Sequence, residues 1–174
     1  MALSCLIHNL KDHHELVICD GDTSRNAHSD RYNFSDESYL IVDNNAGVFG
    51  AVSKIVGAFN SGSAGAFGKI HIAMGWENLL KISLWREQRP ETGEVFTLLK
   101  NSGLNSRDLQ PFRNADINDF FPWLYYGKRF DVLRKVCRAV KRRLEGHLRD
   151  NSIRVDCHMV AVDADTARIV AGSL

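Results

Sequence analysis

No stretch of this sequence approaches the ~20 consecutive apolar residues that cross a bilayer as a helix, which excludes a helical membrane protein from the expectations. The amino-terminal "MALSCLIHNLKDHH" has no basic start, and His8 and Asn9 break its apolar run, so a cleaved signal peptide is not expected. The four cysteines, Cys5, Cys19, Cys137 and Cys157, are widely spaced and form no CxxC pair. That spacing fits reduced thiols better than a disulfide or zinc framework. Proline is scarce: Pro90, Pro111 and Pro122 stand alone, which excludes a proline-rich recognition tract. No internal repeat is visible.

What is present is an ordinary globular composition, 44% hydrophobic and 25% charged over 174 residues, enough for one domain spanning 1–174. The charge is unevenly spread. Residues 1–50 carry three Lys/Arg and eight Asp/Glu, whereas "KRFDVLRKVCRAVKRRLEGHLR" (128–149) carries nine Lys/Arg and two acids, a net +7 in a chain of net +1. Such polarity suggests two faces with different partners, or head-to-tail self-contact.

Periodicity places the elements. "ELVIC" (15–19) and "YLIV" (39–42) read as strands around a polar loop over 22–37. Asp43, Asn44 and Asn45 can cap a helix whose Val48, Val52, Ile55, Val56 and Phe59 share a face, with "NSGSAG" ending it. "KIHIAM" (69–74) alternates as a strand, and "LLKISLW" (79–85) four residues later suggests a hairpin partner. Residues 94–100 are apolar but fit strand or helix, 101–115 look loop-like, and Pro122 suits a helix start. From Lys128, the stripe Phe130, Leu133, Cys137, Val140, Leu144 and Leu148 predicts a long helix. At ~100° per residue, Arg134, Lys135, Arg138, Lys141, Arg142 and Arg149 fall opposite that stripe. "IRVDCHMVAVD" and "ARIVAG", joined at "DADT", predict a closing hairpin over 153–171. The expected fold is therefore α+β: a mostly antiparallel sheet packed with two main helices and a C-terminal β-hairpin.

Four features carry candidate chemistry. In "LVICDGDTS", a strand followed by Asp20, Asp22 and Ser24 resembles the first motif of haloacid-dehalogenase-type phosphatases. That resemblance implies a nucleophile at Asp20, an acid–base at Asp22 and magnesium between them. The later motifs are missing, since Asp116 and Asp119 follow no apolar run, and a tight turn explains the segment as well. His71 in "IHIAM" and His158 in "CHMVA" resemble the paired His-x-Ser/Thr motifs of 2H phosphoesterases, but Ala73 and Val160 stand where the hydroxyls belong. "SAGAFGKI" (63–70) lacks the first glycine and the final hydroxyl of a phosphate-binding loop. His13–His14 and Cys157–His158 are adjacent pairs, which point to opposite faces of a strand, so neither a metal site nor a cofactor is predicted. Residues 46–68, rich in Gly, Ala, Phe and Val, could lay an apolar face on a membrane or pack into a core. Finally, Lys128, Arg134, Lys135, Arg138, Lys141, Arg142 and Arg149 form a candidate surface for RNA phosphates or anionic lipid. The aromatic "FFPWLYYG" (120–127) before it suits stacking or a membrane interface.

In size, order of elements and charge layout the chain resembles the small matrix proteins of plant-infecting rhabdoviruses. That resemblance implies a non-enzymatic viral structural protein, located in the virion, in the host cytoplasm and peripherally on membrane. Such a protein self-associates, binds the inner face of the envelope and the viral glycoprotein tail, and condenses the ribonucleoprotein. The alternative expectation is a metal-dependent phosphatase or phosphodiesterase centred on Asp20/Asp22 or His71/His158.

Overall fold

The computed structural model describes residues 14–42, 47–64, 67–163 and 166–173. Five strands form one sheet: β1 (Glu15–Cys19), β2 (Tyr39–Ile41), β3 (Lys69–Met74), β4 (Arg154–Asp163) and β5 (Thr166–Gly172), in the order β2-β1-β3-β4-β5. β1 pairs in parallel with β2 and β3, and β3 in parallel with β4. The β4–β5 pair is antiparallel, as the predicted closing hairpin requires. The fold is thus α/β with a mostly parallel sheet, which overturns the expected antiparallel α+β arrangement.

Two segments account for the difference. "LLKISLW", expected as the hairpin partner of β3, belongs instead to a helix, Trp76–Leu84. Its Leu79, Leu80, Ile82 and Ser83 are buried together, and a short, mostly apolar run cannot be told from a buried strand by periodicity. Trp85 closes that helix in the left-handed region at φ 54, and its ring stacks on His147 at 3.8 Å and edge-on against Phe49 at 5.2 Å. The second segment is the polar loop expected over 22–37, where Asp22–Ser29 is helical. Its propensity is poor, but Asp22 complements the helix dipole, and Ser24, Ala27 and His28 pack inward at helical spacing. With helices rather than tight turns between successive strands, the chain has the crossovers that parallel pairing requires.

Seven α-helices lie among the described residues, where two main helices were expected: α1 (Asp22–Ser29), α2 (Val48–Asn60), α3 (Trp76–Leu84), α4 (Thr92–Asn101), α5 (Ser106–Leu109), α6 (Phe120–Tyr126) and α7 (Phe130–His147). α4 resolves the ambiguity at 94–100, with Val95 and Leu99 buried and a Glu91/Glu94 capping box at its start. Pro122 sits in the first turn of α6, as predicted. The predicted caps Asp43, Asn44 and Asn45 lie outside the described residues.

The two faces of the sheet differ. Leu16, Ile18, Ile70, Ile72, Met74, Val155, Cys157 and Met159 point into one apolar core, closed by α2, α3, α4, α5, α6 and α7. α7 contributes Val132, Leu133, Val136, Cys137, Val140 and Leu144, all buried, so the predicted stripe meets the core as expected. Full burial of each such aliphatic side chain stabilises by about 1.5–3 kcal/mol. Polar ties fix the end of α7. Asn60 donates to the His147 carbonyl at 2.8 Å and accepts from the Arg149 amide at 2.8 Å, and Glu145 accepts from the Val155 amide at 3.1 Å. The opposite face is covered by α1 and the segment after it. There the apolar cluster is small: Val17, Cys19, Ala27, Ala73 and Val160, with Phe34, Tyr39, Ala167 and Ile169 around it.

Candidate functional site

Strand alternation assigns the side chains of that thinner face. Along β3, Ile70, Ile72 and Met74 enter the large core, so His71 turns toward α1. On β4, His71 is in register with Asp156, and His158, two residues on, faces the same way. α1 then lays His28 over both. The three imidazoles are 0–3% exposed, and one ring nitrogen of each lies within 4.8 Å of a ring nitrogen of the other two. His71 Nδ1 and His158 Nε2 are 3.2 Å apart. His71 Nε2 donates to Glu15 Oε2 at 3.3 Å, and His28 Nδ1 shares a hydrogen bond of 3.0 Å with the Tyr39 hydroxyl. His28 Nε2 is buried without any hydrogen-bond partner. Tyr32 and Phe34 complete the surround, with ring centroids 4.7 and 5.5 Å from His28.

Burial sets the protonation of this group. It lowers His28 to about 3 and His158 to about 4, with the neighbouring imidazoles adding to the depression. His71 is also lowered, by burial and then by Lys69, against the opposing pull of Glu15. All three rings are therefore neutral at pH 7. Asp156 on the same face holds Lys69 at 2.7 Å and Lys141 at 3.6 Å. A cavity of about 200 Å³ between Arg31, Tyr32, Arg134 and β5 has His158 on its wall.

Asp20 occupies the place where α/β sheets commonly bind ligands, outside the carboxyl ends of β1 and β3, where the strand order reverses. Its carboxylate is already engaged. Oδ1 accepts a short hydrogen bond from the Ser24 hydroxyl, and Oδ2 accepts from the Gly75 amide and from Asn78 Nδ2, each at 2.8 Å. These bonds tie the end of β1 to the first turns of α1 and α3. Asp22 is exposed on α1. Among the described residues, the histidine trio is the one group of three His, Cys, Asp or Glu positioned to hold a metal ion, and Asp20 and Asp22 are not in it.

The basic helix is divided by its neighbours rather than presented as one face. Lys135, Arg138, Arg142 and Arg143 line a groove of about 930 Å³ whose other wall is Glu94, Thr97, Leu98, Asn101 and Ser102, with His147 at one end. The single carboxylate on that wall, Glu94, is paired with Arg86 and accepts from the Glu91 amide. Arg143 is anchored by its Nε, which donates to the Ser83 carbonyl at 3.1 Å. Arg134 points elsewhere, into the cavity shared with Arg31, and Lys141 is engaged by Asp156 and Glu145. Lys128 and Arg149 flank the helix, exposed at its two ends. Of the seven predicted anion-binding residues, three meet in the groove. Arg143 is the groove residue that the candidate set omits.

The other predicted features take structural places. The apolar side of 48–60 is spent on the core through Val48, Val52, Ile55 and Val56, so it is not free to enter a membrane. In α6, Phe120 and Leu124 are buried and Tyr126 is 70% exposed. Cys19, Cys137 and Cys157 are buried free thiols, with burial pushing Cys19 up to about 12. Compared with protein-family models, with curated proteins and with solved structures, the chain matches none.

His28 is the site residue that sequence pattern did not single out. The signal that could have found it is the spacing Ser24, Ala27, His28, an i, i+3, i+4 face inside a stretch too polar to suggest a helix.

Proposed function

We propose that the protein binds single-stranded RNA in the groove between α4 and α7, and works as a matrix-type assembly protein that condenses a ribonucleoprotein. The observation that carries this reading is the row Lys135, Arg138 and Arg142, spaced at about one turn along a cleft whose only acid is neutralised by Arg86. Phosphates entering it would meet cations spaced by about 5–6 Å, and would release condensed counterions from the strand. A concave wall suits a strand better than the flat surface of a bilayer, and with the apolar side of α2 buried, charge alone would remain to hold a membrane. Self-association and contact with an envelope glycoprotein tail belong to the same matrix-type reading.

The enzymatic alternatives fit less well. Both Asp20 oxygens are held by donors that fix the fold. His71 and His158 stand 3.2 Å apart beneath α1, too close to admit a phosphodiester between them.

Fluorescence anisotropy of a labelled single-stranded RNA, titrated with protein across a salt series, tests the proposal. K135E/R138E/R142E should lose binding at least tenfold and lower the salt slope by about two, at ~0.7 per phosphate contact on a single strand. The matched control reverses the exposed Lys54, Lys100 and Arg107, which lie outside the groove. Equal loss in both variants would mean that net charge alone attracts RNA, and undiminished binding by the groove variant would reject the site.

A further inference from the structure

We infer that His28, His71 and His158 form a binding site for a first-row divalent metal ion of the zinc type, joining α1 to the sheet. Three features of the trio support this independently of the basic groove. The first is distance. Ligand nitrogens at about 2.0–2.1 Å from a tetrahedral zinc are about 3.3–3.4 Å apart, and His71 Nδ1 and His158 Nε2 already stand 3.2 Å apart. The third ligand, within 4.8 Å, needs only a small inward shift of the eight-residue α1 that carries it.

The second feature is the orphaned Nε2 of His28. A buried polar atom with no partner costs free energy, about 1–3 kcal/mol. This one belongs to a 0% exposed ring whose other nitrogen is taken by Tyr39, so its lone pair is the one left for a cation.

The third is the outer shell. Metal-bound imidazoles characteristically give their second nitrogen to a carboxylate or another acceptor, which fixes the tautomer and aims the ring. Glu15 does this for His71, and the Tyr39 hydroxyl takes the same place on His28. In the metal-free site the His158 Nε2 proton is donated to His71 Nδ1. On binding it moves to Nδ1 of the same ring, so both facing lone pairs become ligands. A water molecule would complete four-coordination.

The aromatic enclosure explains why a metal would matter here. α1 is the main cover of this face, and its inward contacts are few and mostly polar. A metal bridging α1, β3 and β4 would clamp it, and stabilisation by a ligand bound only to the folded state grows with the logarithm of its concentration.

The full-length protein, stripped with a chelator, is titrated with Zn²⁺ by calorimetry and with Co²⁺ by visible absorption, while thermal unfolding is followed. The expected result is one equivalent bound, Co²⁺ bands of a tetrahedral nitrogen site, and a raised melting temperature. His28→Phe keeps a ring among Tyr32 and Phe34 and should lose at least 100-fold in affinity, while His147→Gln, remote from the trio, should lose none. Glu15→Gln and Tyr39→Phe leave every ligand in place and should each weaken binding 10- to 100-fold by loosening a ring. These two variants test the site even if His28→Phe fails to fold. Absence of stoichiometric binding, or parental affinity in His28→Phe, Glu15→Gln and Tyr39→Phe together, would overturn the inference.

Discussion

The two faces of β3 divide the molecule's work. On one, Ile70, Ile72 and Met74 enter an apolar core sealed by six helices. On the other, Lys69 meets Asp156, His71 meets Glu15 and His158, and one short helix covers them. Close packing of apolar groups makes the first face tolerant of pH and salt and intolerant of lost volume. Buried polar groups make the second face sensitive to protonation, since its imidazoles keep their place only while neutral. The contrast separates where stability is generated from where chemistry is available.

The largest effect should come from the aliphatic face. Ile72→Ala removes a fully buried side chain at the centre of the sheet and should cost about 2–5 kcal/mol, read from denaturant midpoints at unchanged slope. A loss much under 2 kcal/mol would show that the core relaxes around the cavity.

Next in size is an acid sensitivity confined to the histidine face. His28 and His158 titrate at about 3 and 4 in the folded chain and near 6.5 when unfolded. Between about pH 6.5 and 4 the unfolded state therefore binds more protons than the folded one, so stability must fall as the pH falls through that window. Metal-free protein should lose on the order of a few kcal/mol there, because each proton bound only by the unfolded chain costs about 1.4 kcal/mol for every pH step of one. His28→Phe should flatten this slope while Ile72→Ala leaves it unchanged. Equal slopes in the parent and His28→Phe would mean that His28 does not titrate as its burial requires.

A smaller effect is expected at the joint between the two faces. Asp20→Ala removes the acceptor of the Gly75 amide and of the Ser24 hydroxyl, and should cost about 1–3 kcal/mol. Asp20→Asn should retain part of that, because one oxygen still accepts. If Asp20→Ala instead melts like the parent, water replaces the carboxylate and the joint is not structural.

The smallest effect should be on the outside of α7. Reversal of Lys135, Arg138 and Arg142 changes charge in the groove but removes nothing from the core, so the melting temperature should hold while RNA affinity falls. A large drop in melting temperature would show that these cations support the fold, and would weaken any reading of their RNA binding.

Much of this architecture was legible one segment at a time. Periodicity of three and four identified α7 and its buried stripe, because Leu133, Cys137, Val140 and Leu144 alternate with Arg and Lys at full contrast. Alternation of two identified β3 and β4, and with them the shared side of Lys69 and His71. "LLKISLW" was not legible, since within it Lys81 is the one charge, and the polar side of the helix is completed by Glu77 and Asn78, which precede it. α1 was not legible either, since its residues favour turns in isolation and only docking on the sheet makes them helical. Misplacing those two segments was enough to invert the strand directions.

The sequence by itself determined which residues are charged or apolar at each step of a helix or strand, and so the concentration of cations on α7 and the presence of histidines on β3 and β4. Only the tertiary structure decided what those residues meet. Parallel pairing brought His71 to His158 across 87 positions of chain, and docking of α1 placed His28 above them. The neighbours of α7 split one run of basic residues into a groove, a cavity wall and a pair with Asp156. The physical reason is that local pattern fixes the direction of a side chain relative to its own element, whereas partners and desolvation arise from elements distant in sequence.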